Sequence, residues 1–274
     1  MCLKNKDRHN FRQTYRTCCL LGKLICYSQL EKLQQDVDRF TIYFKKQLDE
    51  IKALESPHVE LYRRLLYAII LDTLAGTVLP KRPNKERFVY FVQRFCRWSD
   101  GERVSLPHLV RLLRKNPDPV FQKLREWALE KFKALPVHGS QLMSISHDPL
   151  CDDVKSMWPV QKEHRTPLEG IDLVALQHFH LLYVYRNSLI HELRTPGYGM
   201  EFGEDDEPFY HLMSTLGDSA KIVKSSVELV YPWRFLHRLC DTALDELKKY
   251  FITNELNPRD TFVFGTYWIR ELNR

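Results

Sequence analysis

The 274-residue sequence predicts an all-α fold, a bundle of helices built around one long, apolar central helix. Three observations predict it. Apolar residues recur at spacings of three and four through most of the chain, the mark of one buried helix face. Pro, Gly, Ser and Asn cluster between those runs. Neither an internal repeat nor an alternation of strands with helices is visible. Hydrophobic content of 44% and charged content of 28% are those of an ordinary globular chain, with length to spare for a core.

The elements follow in order. Residues 1–29 are basic and Cys-rich without clear periodicity, and are expected as a flexible arm. Residues 30–274 are expected as a single helical domain. Leu33, Val37, Phe40, Phe44, Leu48 and Ile51 make the first apolar stripe. Ser56-Pro57 ends that helix and opens the next, since Ser suits an N-cap and Pro the first helical position. The run from Val59 to Val78 is apolar nearly all round, so it should be central; Pro80 and Pro83 end it. Asn84 opens a helix through Phe88, Phe91, Val92 and Phe95, closed by a turn at Ser99-Asp100-Gly101. Ser105-Leu106-Pro107 is another capped start, leading to Leu109, Leu112 and Leu113. Asn116-Pro117-Asp118-Pro119 breaks it, and Val120 to Leu135 follows.

Residues 136–170 change character, rich in Pro, Gly, Ser and His, and read as a long loop with room for one short element. Asp172 to Arg194 is the central helix, stopped by Thr195-Pro196-Gly197. A second loop over about 195–215 is acidic, with Glu201, Glu204, Asp205, Asp206 and Glu207 uninterrupted by a basic residue. Pro232 to Phe251 is the last amphipathic helix. Phe262-Val263-Phe264 reads as a short strand or a packed extended tail.

The net charge is +6 and unevenly spread. Residues 1–35 hold seven Lys/Arg against two Asp/Glu, and residues 81–133 hold fourteen against six. Such density attracts phosphate backbones, although solvated helix faces give the same count. The seven cysteines are odd in number and scattered, with no C-x-x-C pair. That fits a reducing compartment and supplies no zinc ligand set, so neither metal nor cofactor is expected. No run approaches a membrane-spanning length, and Cys18 to Tyr27 is too short and too interrupted for a secretory signal. The reading is a cytoplasmic protein with no membrane partner.

The chemistry concentrates near the end of the central helix, at Tyr183-Val184-Tyr185-Arg186-Asn187-Ser188-Leu189-Ile190-His191-Glu192-Leu193-Arg194. Polar groups placed on so apolar a helix cost free energy unless they are paired or used. Arg186 and His191 lie five residues apart, about 140° around the helix, and so flank a groove. Asn187 shares a face with His191, and His180 and Arg194 extend that stripe. Guanidinium beside imidazole suits phosphate chemistry: His exchanges protons near neutral pH, while Arg holds charge growing on phosphoryl oxygens. The spacing itself is weak evidence. A second Arg-x4-His occurs at Arg103 and His108, interrupted by Pro107 at a turn, and serves as an internal control. A structural reading pairs Arg186 with a carboxylate such as Glu192 of a neighbouring helix and makes His191 a hydrogen-bonded core residue.

The string Arg186-Asn187-Ser188-Leu189-Ile190-His191, late in a helical chain and followed by one more long helix, resembles the Arg-x4-6-His motif of HEPN ribonucleases, in which a polar residue, often Asn, follows the Arg. The resemblance implies an expanded HEPN-like helical domain. It implies metal-independent RNA cleavage, with the 2′-hydroxyl attacking the adjacent phosphorus at a composite site of a homodimer, in a toxin or defence setting with an antitoxin or regulatory partner. Carried over, His191 acts in proton transfer or phosphate contact, Arg186 stabilises the charged phosphorane, and Asn187 orients a phosphate or the His. His180, Ser188 and Arg194 become candidate substrate contacts. Two other readings stay open: a catalytically inactive HEPN-like protein that binds RNA or nucleotide or scaffolds a partner, and a helical interaction domain with no nucleic-acid role.

Other chemistries lack their residues. There is no Gly-rich phosphate loop, no H-E-x-x-H, no Gly-x-Ser-x-Gly and no nucleophilic Cys with a placed partner. His178 and His180 diverge by about 200° on a helix, awkward for one metal.

Overall fold

The computed structural model describes residues 7–135, 143–161, 164–202, 205–216 and 222–262, as backbone alone at 7–28, 161, 164, 215–216 and 222–224. The described chain is mainly α-helical: α1 (Asp7–Lys52), α2 (Val59–Val78), α3 (Asn84–Phe95), α4 (Leu106–Lys115), α5 (Gln122–Lys133), α6 (Cys151–Met157), α7 (His178–Glu192) and α8 (Trp233–Thr253). No described helix is long and apolar enough to cross a membrane.

Backbone contacts divide the chain into two compact units, Met1–Lys45 with Leu244–Arg274, and Lys46–Ala243. In the first, the expected stripe is buried at Val37, Phe40 and Phe44, and Leu244, Leu247 and Phe251 are buried opposite. The ring of Phe40 meets those of Phe251 and Phe262 edge-on at 5.6 and 5.5 Å. Phe262, read as part of a short strand or a packed extended tail, is a packed aromatic; Val263 and Phe264 lie outside the described residues. Asp36 ties the stretch after α8 to α1, accepting from Asn257 at 2.9 Å and pairing with Arg259 at 3.2 Å. Helical backbone starts at Asp7, inside the segment expected as an arm.

The second unit is built on α2, α3 and α7, which pack on one another. α2 buries Tyr67, Ala68, Ile70, Leu71, Leu74 and Ala75, as its all-round apolarity requires. The central helix is shorter than expected: a 3-10 turn at Leu173–Leu176 precedes α7, and Gln177, extended at φ −69° and ψ 147°, separates them. The turn at Gly101 passes so close to α7 that a Cβ there would collide with the Phe179 ring.

Strands are the main departure from the all-α expectation. Residues 143–165 carry β1 (Met143–Ser144), α6, β2 (Val160–Gln161) and β3 (His164–Arg165). The segment after the acidic run forms β4 (Phe209–Leu216) and β5 (Ile222–Val230), an antiparallel hairpin pairing Phe209 with Val230 and His211 with Glu228. β1 adds to β4, giving the order β1-β4-β5, and β2 pairs with β3. The physical reason is local. β4 and β5 are rich in aromatic and β-branched residues, which favour a pleated, half-buried surface, with Gly217-Asp218-Ser219 between them.

Three members of the acidic run, Glu201, Asp206 and Glu207, lie on basic partners of their own unit, while Glu204 lies outside the described residues. Glu201 pairs with Arg64 at 3.5 Å and accepts from the Trp233 N–H at the start of α8. Asp206 lies 3.9 Å from Arg234, and Glu207 forms a two-pronged pair with Arg238.

Candidate functional site

α7 buries His178, Phe179, Leu182, Tyr185, Arg186 and Leu189 at helical spacing, so Arg186 occupies a core position in an otherwise mostly apolar stripe. Its side chain is 6% exposed, and its Nη2 meets the Asp72 Oδ2 of α2 at 2.6 Å. Nη1 donates to the Asn187 Oδ1 at 2.8 Å, while Nε is enclosed without a partner. Arg87 of α3 approaches the other Asp72 oxygen at 3.9 Å. Two guanidiniums therefore converge on one carboxylate where three helices meet. Asp72 fixes Arg186 and also takes up part of its charge. The ion-pair reading, Arg186 with a carboxylate such as Glu192, finds its carboxylate in Asp72, while Glu192 pairs with Arg194 at 2.5 Å.

His191 stands in the last turn of α7 and is exposed. Five residues separate it from Arg186, about 140° in azimuth and ~7.5 Å in rise. The structure thus brings Arg186 and Asn187 together and leaves His191 open at the end of the same helix. Ser188 is half-buried and acts through its backbone: its carbonyl accepts the N–H of Leu193, which closes the helix in the left-handed conformation at φ 52°. Arg194 is largely exposed beside Glu192. His180 is half-buried with Nδ1 enclosed and unpartnered; burial, with the Lys85 charge, lowers its pKa.

A buried polar network lies elsewhere among the described residues. Asp148, after β1, and His178, first residue of α7, are fully enclosed and joined at 2.7 Å. Tyr210 of β4 donates to the same Asp148 oxygen at 2.6 Å. Ser105, before α4, lies 2.6 Å from the Tyr210 hydroxyl and 2.7 Å from His108 Nδ1. The other Asp148 oxygen accepts from the Leu106 N–H at 3.0 Å, and Arg103 donates to the Asp148 carbonyl at 2.8 Å. Tyr210 commits its one proton to Asp148, so Ser105 must donate to Tyr210. His108 must then donate from Nδ1 to Ser105, or two lone pairs would face each other at a short contact. The network assigns the Nδ1–H tautomer to His108 and leaves Nε2 as a free acceptor. Burial first, then the charge of Arg111, lowers the His108 pKa to about 4, so the ring is neutral at pH 7.

The Arg103–His108 pair, set aside as a control, thus belongs to this network. Sequence reasoning missed Asp72, Arg87, Asp148 and Tyr210 because nothing local marks a residue whose partner is a distant helix or strand. The strand-like run around Tyr210 was the one signal available. Among the described residues no cluster of His, Cys, Asp or Glu fits a metal ion. Comparison with known protein families, with characterised proteins and with solved structures finds no match, so the site is read from its own residues.

Proposed function

We propose that the protein is a HEPN-type endoribonuclease that cleaves RNA without a metal ion, working as a homodimer in a toxin or defence setting. The observation that carries this reading is the arrangement along α7. Arg186 is fixed by Asp72 and bonded to Asn187, and an exposed His191 lies one and a half turns further on. In the reaction, the 2′-hydroxyl loses its proton to a base and its oxygen attacks phosphorus. The bond to the 5′-oxygen breaks and that oxygen takes a proton, leaving a 2′,3′-cyclic phosphate and a 5′-hydroxyl. His191 moves the proton, Arg186 holds the charge on the phosphorane, and Asn187 orients it. A second α7 facing the first across a dimer supplies the opposite half of the site.

A second reading has its own observation. Because Arg186 is buried and paired, it serves equally as a structural ion pair of a catalytically inactive HEPN-like protein that binds RNA or nucleotide or scaffolds a partner. The test is cleavage of a mixed-sequence labelled RNA in EDTA by the wild type, Arg186→Lys and His191→Ala, each checked for fold by circular dichroism. Cleavage lost in folded His191→Ala, and reduced at least tenfold in Arg186→Lys, is the expected result. Equal cleavage by all three, or none by the wild type as a dimer, favours the second reading.

A further inference from the structure

α4 presents two faces. Leu106, Leu109, Val110 and Leu113 are buried, while Arg111, Arg114 and Lys115 stand out on the other side. Across from them runs β5, and Arg111 straps the two together, donating to the Val227 carbonyl at 3.2 Å and to Glu228 at 3.4 Å. Between α4 and the hairpin lies a groove of about 600 Å³, a volume that suits a small ligand. Its cationic edge is Arg111, Arg114 and Lys115; Ser225 and Ser226 also line it, their hydroxyls bonded to Ser214 and Glu228. Val110, Phe132, Leu212 and Val227 supply an apolar floor. A smaller recess of about 140 Å³ shares Arg111 and Glu228 with the groove and is lined by His108.

The charges do not cancel. Glu228 is committed to Arg111 and to the Tyr198 N–H at 3.3 Å. Among the described residues Arg114 has only the Phe132 ring beneath it, at 5.7 Å, and Lys115 has no carboxylate partner. Three cations thus face one carboxylate. Solvated lysines and arginines at a helix C-terminus are common. These differ in bordering an apolar floor and in facing a single carboxylate that Arg111 already holds.

We propose that this groove binds a small organic phosphate, a phosphomonoester on a flat apolar body, with Arg111, Arg114 and Lys115 on the phosphoryl oxygens. The two ends of such a molecule match the two textures of the groove: guanidinium and ammonium groups bind phosphoryl oxygens, and the apolar floor covers a ring. The site is independent of Arg186 and His191 and of any RNA cleavage.

Isothermal titration of the full chain at pH 7 tests it, with adenosine monophosphate, adenosine and inorganic phosphate as probes. One monophosphate should bind per chain, with adenosine and inorganic phosphate each at least tenfold weaker. Arg114→Ala/Lys115→Ala, both exposed positions, should weaken the monophosphate at least tenfold. Lys249→Ala, which does not line the groove, should leave it unchanged. Absence of monophosphate binding overturns the assignment. So does equal affinity for adenosine or inorganic phosphate, and so does full affinity in the Arg114/Lys115 variant.

Discussion

Arg186 of α7 and Asp72 of α2 meet through Nη2 and Oδ2 at 2.6 Å, with the arginine side chain only 6% exposed. Arg87 faces the same carboxylate from α3. Replacing Asp72 by Asn preserves shape but leaves two guanidiniums facing each other without their counter-charge. The expected cost is about 2–3 kcal/mol, below that of a fully enclosed pair because Asp72 is partly open to water. Urea unfolding of Asp72→Asn measures it; an unchanged midpoint would mean that the pair contributes nothing to stability.

Tyr210 joins Ser105 to Asp148 at 2.6 Å on either side. Tyr210→Phe strands a buried hydroxyl and removes one donor from a buried carboxylate, for an expected loss of about 2–3 kcal/mol. The same change frees the Ser105 proton to turn toward His108. Nitrogen-15 NMR of the histidine rings should find the Nδ1–H tautomer at His108 in the wild type and a mixture in the variant. The Nε2–H tautomer at His108 in the wild type would break the proposed proton order.

Leu193 ends α7 at φ 52°, a conformation that costs an L-residue roughly 1–2 kcal/mol. Its side chain is about half exposed, so little packing is at stake. Leu193→Gly should therefore stabilise the protein by about 0.5–1 kcal/mol after the entropy that glycine loses on folding. A lower thermal midpoint in this variant would show that the Leu193 side chain holds the turn by contacts.

Two buried groups give opposite pH slopes. Burial raises Glu201 from 4.5 to about 7, against the pull of Arg64. Its folded pKa exceeds the unfolded one, so its contribution is full below pH 4.5 and fades as pH rises through 7. His108 falls from 6.5 to about 4 through burial. Its contribution is full above pH 6.5 and is lost as pH falls toward 4. Over pH 4.5–6.5 the two offset each other. Glu201→Gln removes one slope, so stability should then rise with pH across that window by roughly 2 kcal/mol more than in the wild type. Parallel wild-type and variant profiles by denaturant titration would contradict this.

Much of the helical framework was legible in the sequence, for a local reason. Spacing of three and four at Val37, Phe40 and Phe44, and the Pro and Ser signals at Ser56-Pro57 and Ser105-Leu106-Pro107, act within a turn or two of chain. The hairpin over residues 209–230 was passed over because short β-branched runs compete with helix in a chain of helical neighbours, although Ile222, Val223, Val227 and Val230 carried the signal. Of the candidate site, Arg186 and Asn187 were readable as an unusual polar pair on an apolar helix.

The sequence by itself determined that the protein is mainly helical, where most helices stop, and that Arg186 and Asn187 stand as polar residues on an apolar helix. Only the tertiary structure decided that Arg186 is buried and which carboxylate neutralises it, that His191 is exposed, and that Glu201, Asp206 and Glu207 lie on Arg64, Arg234 and Arg238. It also decided that Asp148, His178, Tyr210, Ser105 and His108 form one chain of hydrogen bonds. Periodicity is a property of neighbours along the backbone. The pairing of buried charges joins residues as far apart as Ser105 and Tyr210, and only the packed fold selects among the possible partners, because each buried polar group must find one.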